Sequence, residues 1–159
     1  MRDGAAMWRI ARDSGTLDLN SSYAYLLFCR DFAGTCRIAT TDGDVVGFVL
    51  AYRRPTRPDC LFVWQIAVDE HHRGRGLSTR LLEDLLVDPA GRAGPPVRTL
   101  ETTITEDNAA SRALFESLAR RHGAALAIAP LFTAADFPDN HDGEPLITIG
   151  PFRAPSSTG

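Results

Sequence analysis

Residues Leu61–Leu86 read LFVWQIAVDEHHRGRGLSTRLLEDLL, and this stretch decides the fold. Leu61–Val68 is almost continuously apolar, as a central strand buried on both faces should be. Leu77–Val87 sets Leu77, Leu81 and Leu85, with Leu82 and Leu86, on one helical stripe. Between them lies Arg73-Gly74-Arg75-Gly76-Leu77-Ser78. A strand aims this turn, its glycines let backbone N–H groups approach a ligand, and the helix N-terminus adds the positive end of its dipole. That order makes an anion site. It lacks the G-K-[ST] of a Walker loop, and no third glycine follows Gly76 at the dinucleotide spacing. The plain alternative is a strand-to-helix connection whose arginines are merely solvated.

Outward from this unit, strands and helices interleave. Asp3 can cap a helix over Ala5–Arg12, with Ala6, Met7 and Ile10 on one face, and Ser14-Gly15 ends it. Leu17–Asn20 is a short connection, and a second helix spans about Ser21–Arg30, with Tyr23, Leu26, Leu27 and Arg30 at helical spacing. Asp42-Gly43-Asp44 joins strands Cys36–Thr40 and Val45–Tyr52 in a hairpin. Arg53–Asp59, with Pro55 and Pro58, reads as a loop, and Pro89–Pro96 as a flexible surface turn. Val97–Ile104 is a strand and Asn108–Arg121 a helix with Ala113, Leu114, Ser117 and Leu118 inward. Ala124–Ile128 reads as a strand, Pro130–Pro145 as irregular, Leu146–Ile149 as a closing strand and Pro151–Gly159 as a disordered tail. The class is α/β or α+β on a mixed, mostly antiparallel sheet flanked by helices. Residues 1–150 form one domain, as 159 residues with one core should.

Composition narrows the function. A net charge of −3 argues against nucleic acid or an acidic membrane as partner, and no apolar run is long enough to span a bilayer. The N-terminus lacks the apolar core of a signal peptide. Cys29, Cys36 and Cys60 are odd in number and lack C-x-x-C spacing, so they read as reduced, mostly buried thiols of a cytoplasmic protein. No histidine lies near them to make a nucleophile.

The loop Arg73–Ser78 resembles the R-x-x-G-x-[GA] loop with which GNAT acetyltransferases hold the coenzyme A pyrophosphate, with Ser78 standing where Gly or Ala is usual. This resemblance implies the GNAT fold, with acetyl-CoA as co-substrate. A GNAT domain usually opens with a strand, whereas this chain starts almost at the helix, so the first strand is absent or precedes the sequence. The resemblance also implies that the strand before the loop splays from its neighbour. Gln65–Val68 would then hold the pantetheine arm, with Ile66, Ala67 and Val68 offering main-chain contacts and one N–H polarising the thioester carbonyl; the alternative is an intact core strand. Arg73, Gly74, Arg75, Gly76, Leu77 and Ser78 would hold the pyrophosphate. Asn108 and Ser111, at the start of the following helix, would also touch the coenzyme, although Asn108 is equally well a plain helix cap. Many members carry a tyrosine further along this helix as general acid. Here the pair is Leu114-Phe115, and phenylalanine has no proton to give.

A narrower resemblance rests on LDLNSSY (Leu17–Tyr23), LFVWQ (Leu61–Gln65), LETTI (Leu100–Ile104) and His141–Glu144. These blocks are similar to the L-2,4-diaminobutyrate acetyltransferases of ectoine synthesis, over about Gly4–Pro151. That family implies acetyl transfer to the γ-amine of L-2,4-diaminobutyrate by cytoplasmic homodimers, and the apolar second helix also suits a dimer. Such a substrate carries ammonium groups and a carboxylate. The substrate-binding set is Asp18, Tyr23, Trp64, Glu101, Thr102, His141 and Glu144, and the catalytic set Glu101, Trp64 and Ile66. Asp18, Glu101 and Glu144 are acceptors, Asp18 being otherwise a helix cap. An inward Glu101 needs a cationic partner, which the substrate ammonium could supply; it is also a candidate base. Trp64 walls the pocket or sits in the core. Tyr23 reaches the pocket from the second helix while Tyr25 points elsewhere. His141 is a donor to the carboxylate, and no metal is expected, since His141 and Glu144 lack further ligands. Transfer is direct, without an acetyl-enzyme. The alternatives are a GNAT enzyme for another small amine and a non-catalytic acyl-CoA-binding module.

Overall fold

The computed structural model describes residues 3–15, 17–87, 94–139 and 141–152. The elements run α1 (Gly4–Ser14), α2 (Ser22–Asp31), β1 (Arg37–Thr41), β2 (Asp44–Arg54), β3 (Arg57–Val68), α3 (Leu77–Leu86), β4 (Thr99–Thr103), α4 (Ala109–His122), β5 (Ala125–Phe132) and β6 (Glu144–Gly150). The six strands form one sheet in the order β1-β2-β3-β4-β6-β5. Only β3 and β4 are parallel.

Alternation along the strands divides the core into two layers. On one face Val49, Ala51, Leu61, Val63 and Leu100 meet Leu81, Leu82 and Leu85 of α3 and Phe115 and Leu118 of α4. On the other, Phe48, Leu50 and Ala67 meet Met7, Ile10 and Ala11 of α1 and Tyr25 of α2. Opposite Leu50 and Ala51 the register of β3 slips by one, from Gln65 to Val63, so Trp64 is a bulge residue. It stacks on Phe28 of α2, with ring centroids 4.8 Å apart. Such a bulge re-aims the side chains beyond it.

Several expectations change. Arg53–Asp59 is not a loop: Arg54 pairs with Arg57, and only Pro55-Thr56 makes the turn. Proline at that point ends one strand of the hairpin, and Pro58 sits where β3 has not yet met β4. Pro130–Pro145 is not wholly irregular, because β5 runs to Phe132 and pairs it with Glu144. The inward face of α4 is Phe115, Leu118 and Ala119, while Ala113 is exposed. On α2 it is Tyr25 that is fully buried, and Tyr23 is 65% exposed. Phe152 packs into the core and donates its N–H to the Arg98 carbonyl at 2.8 Å, so order extends past Pro151. The rest of the expected tail, and most of the Pro89–Pro96 turn, lie outside the described residues. Asp3 and Ser21 stand at N-cap positions but make no side-chain capping bond. No helix among the described residues is long and apolar enough to cross a membrane.

Candidate active site

The parallel ladder between β3 and β4 is short. It holds Cys60 to Thr99, Leu61 to Leu100 and Phe62 to Glu101, and then stops. Beyond it β3 continues to Val68, bonded only to β2. The strands therefore splay, and among the described residues the edge of β3 toward β4 makes no ladder bond beyond Phe62. A cleft of about 260 Å³ opens there. Its walls are Ile66, Ala67 and Val68 of β3, Arg73 and Ser78 of the loop, and Asn108, Ala110 and Ser111 at the start of α4.

The loop geometry follows from its glycines. Gly74 and Gly76 have φ of +75° and +72°, the left-handed region that side chains disfavour. Gly76 is the N-cap of α3, so the first N–H groups of that helix point out of the turn. The Arg73 Nε–H donates to the Val68 carbonyl at 3.1 Å and ties the loop to the strand end. Arg75 is exposed and reaches the His71 carbonyl at 3.4 Å. Asn108 does cap its helix, accepting from the Ser111 N–H at 3.1 Å, while also lining the cleft. Phe115 is buried in the core and Leu114 faces the cleft, so the ring that replaces a tyrosine does not look into the site.

A second cleft of about 470 Å³ adjoins the first and shares Asn108 and Ala110 with it. Leu17 and Asp18 wall it on one side, Thr105 and Asp107 on another, His141 and Asp142 on a third. Asp18 Oδ2 lies 2.8 Å from His141 Nε2, and the Asp142 carbonyl lies 2.6 Å from Nδ1. Glu144 Oε1 lies 3.6 Å from the same Nε2, and Glu144 also accepts from the Thr103 hydroxyl. Oxygen acceptors at both ring nitrogens require both to donate, which is the imidazolium. The Asp18 hydrogen bond first, then the Asp142 carbonyl, push the His141 pKa up to about 9. Ligand atoms of Asp18, His141 and Glu144 lie within 4.8 Å of one another, a spacing a metal ion fits; an ion there would have to displace the proton between Nε2 and Asp18.

The remaining expected site residues are placed differently. Glu101 is inward and only 2% exposed, but its cationic partners belong to the protein. Arg54 donates to Oε2 at 2.8 Å and Arg57 to Oε1 at 3.0 Å. Both arginines are the strand-end residues that flank the Pro55-Thr56 turn. Glu101, Thr102, Trp64 and Tyr23 line neither cleft. The hydrogen-bonded chain Tyr25–Gln65–Asp18 went unforeseen. Gln65, buried in β3, accepts from the Tyr25 hydroxyl at 2.8 Å and donates to the Asp18 carbonyl at 2.8 Å. The only sequence signal was an amide inside an apolar strand. The three cysteines are unpaired, and burial pushes Cys36 and Cys60 each up to about 11, far from thiolate chemistry.

Comparison with known proteins agrees with this geometry. The sequence model of the acetyltransferase (GNAT) family matches residues 5–119. An L-2,4-diaminobutyric acid acetyltransferase of Streptomyces avermitilis is 56% identical over 151 residues, covering 94% of this chain and 83% of that protein. One from Marinococcus halophilus is 44% identical over 153 residues, covering 96% of this chain and 87% of that protein. Among solved structures, the diaminobutyrate acetyltransferase of Paenibacillus lautus, in complex with its substrate L-2,4-diaminobutyric acid and coenzyme A, superposes with a TM-score of 0.89. It is 42% identical, and the match covers 97% of this chain and 92% of that one. The chain belongs to the GNAT acetyltransferase family, and within it to the L-2,4-diaminobutyric acid acetyltransferases.

Proposed function

We propose that this chain transfers acetyl from acetyl-CoA to the γ-amine of L-2,4-diaminobutyrate. Acetyl-CoA-dependent transfer to diaminobutyrate follows from the family; the γ position and the roles of the residues are our reading. The observation that carries it is the junction of the two clefts at Asn108 and Ala110. One side offers backbone donors and a helix N-terminus, which suit a pyrophosphate and a thioester carbonyl. The other offers carboxylates and an imidazolium, which suit a substrate with ammonium groups and a carboxylate.

In this scheme the pyrophosphate sits on Arg73–Ser78 and the pantetheine arm runs along Ile66–Val68. The thioester oxygen meets a free N–H of β3. His141 holds the α-carboxylate, while Asp18 and Glu144 take the ammonium groups. Glu101, with both oxygens held by arginines and lining neither cleft, does not accept the proton. A lysine-type amine has a pKa of roughly 10.4, so it must give up a proton to water in the open cleft before attack. The free nitrogen then adds to the thioester carbon. The C–S bond breaks as the amide forms, the nitrogen gives its second proton to water, and the coenzyme thiolate takes up a proton from solvent. With Phe115 in the core, no side chain of that helix position supplies it.

Three unpaired cysteines suit a reducing compartment, and we place the enzyme in the cytoplasm. We assign the exposed apolar residues of α2, Tyr23 and Leu26, to a homodimer contact; light scattering tests the mass. The activity is tested by thiol release from acetyl-CoA with diaminobutyrate, lysine, ornithine and spermidine in parallel, with the product position read by NMR. Selective turnover of diaminobutyrate at the γ-nitrogen is expected. Turnover of another amine, or acetylation at the α-nitrogen, would refute the assignment.

A further inference from the structure

We infer that Tyr25 and Gln65 are positioning residues, which index the amine-holding loop to the strand that holds the thioester. This rests on the reading of Asp18 and His141 as substrate ligands. Tyr25 has no exposed surface and Gln65 is 5% exposed. The phenol donates to Gln65 Oε1, and Gln65 Nε2 donates to the Asp18 carbonyl, each at 2.8 Å. Asp18 then holds His141 through its carboxylate at 2.8 Å. One polar chain thus runs from the core of α2, through β3, to both walls of the amine cleft.

The placement of Gln65 gives the chain its purpose. It directly precedes Ile66, the first residue of the splayed wall, and follows the Trp64 bulge. The Asp18 carbonyl, which Asn20 Nδ2 also reaches at 3.2 Å, is thereby tied by Gln65 to the residue that precedes the thioester wall. An apolar pair would pack this position as well, because replacing both partners of a buried hydrogen bond is close to neutral for stability. What an apolar pair cannot do is hold a loop carbonyl at a fixed place. Without that anchor Asp18 drifts from His141. The acidic groups around the imidazole are Asp18 from the loop after α1, Asp142 beside it, Glu144 from β6 and Asp107 across the cleft; of these, Asp18 and Glu144 come closest.

The test uses the full chain with Tyr25→Phe, Gln65→Leu and the pair Tyr25→Phe/Gln65→Leu. The double variant removes both partners of the buried Tyr25–Gln65 hydrogen bond, leaves Asn20 Nδ2 on the Asp18 carbonyl, and guards against misfolding. The KM for diaminobutyrate is expected to rise about fivefold to tenfold in all three. The KM for acetyl-CoA and kcat stay near wild type, and the double variant keeps the wild-type Tm. In the free enzyme, NMR titration of His141, assigned with His141→Asn, moves from about 9 toward 6.5. An unchanged diaminobutyrate KM and an unchanged His141 titration in the folded double variant would overturn the inference. The titration needs no substrate, so it decides the matter even if wild-type enzyme ignores diaminobutyrate, an outcome that would instead overturn the proposed activity.

Discussion

The two clefts, which we propose as the coenzyme side and the amine side of the site, are built by different means. The coenzyme side is nearly all backbone: the free edge of β3, two glycines at positive φ and the N-termini of α3 and α4. Apart from Ser14 it comes from two short segments, Ile66–Ser78 and Asn108–Leu114. The amine side is mostly side chains, gathered from positions 18, 25, 65, 103, 141 and 144, with the Asp18 and Asp142 carbonyls among their partners. Backbone recognition works with many sequences, so it suits a ligand common to a superfamily. Charged side chains held by one another suit a single substrate, and they fail together when one is removed.

The largest effect should come from stranding a charge beside the amine side. Arg54→Ala/Arg57→Ala leaves the Glu101 carboxylate buried without a cation, and the protein should lose about 3–5 kcal/mol in denaturant unfolding. Restoring most of that loss with Glu101→Leu in the same background would confirm that the unpaired charge is the cause; no loss would mean that water reaches it. Next, Asp18→Ala should lower kcat/KM for diaminobutyrate by roughly 100-fold, as truncation of a paired charge does. Calorimetry should find acetyl-CoA affinity unchanged, and a parallel loss there would break the division between the two sides. Gly76→Ala puts a Cβ on a residue at φ +72°. It should weaken acetyl-CoA about tenfold, with diaminobutyrate KM at saturating coenzyme little altered.

The smallest effect is on stability against pH. His141 titrates at about 9 in the fold against 6.5 for an ordinary imidazole. Folding favours its protonated form, so that contribution is complete below pH 6.5 and disappears as pH rises through 9. Differential scanning of wild type and His141→Asn from pH 6 to pH 10 should show the wild-type advantage shrink by about 2 °C. A constant gap would mean that the Asp18 contact is absent in solution.

Local pattern carried much of this. The apolar run Leu61–Val68, the turn Arg73–Ser78 and the leucine stripe after it read correctly as strand, loop and helix, because each depends on neighbours in sequence. Asp42-Gly43-Asp44 marked its hairpin for the same reason. Errors fell where distant strands decide. Two prolines made Arg53–Asp59 look like a loop, although pairing with β2 carries β3 back to Arg57. The β5 extension to Phe132 exists because Glu144 is there to pair with it. That Tyr25 and not Tyr23 is buried was not legible, because helical spacing gives a stripe but not which face the sheet takes.

The sequence by itself determined the coenzyme loop, the family and the kind of charge an amine site needs, since these are written in contiguous residues. Tertiary structure alone decided the partners. Glu101 meets two arginines, and Asp18 meets His141 across 123 positions. A carboxylate states in sequence that it needs a cation, but only the packing of strands from separate parts of the chain settles which cation reaches it.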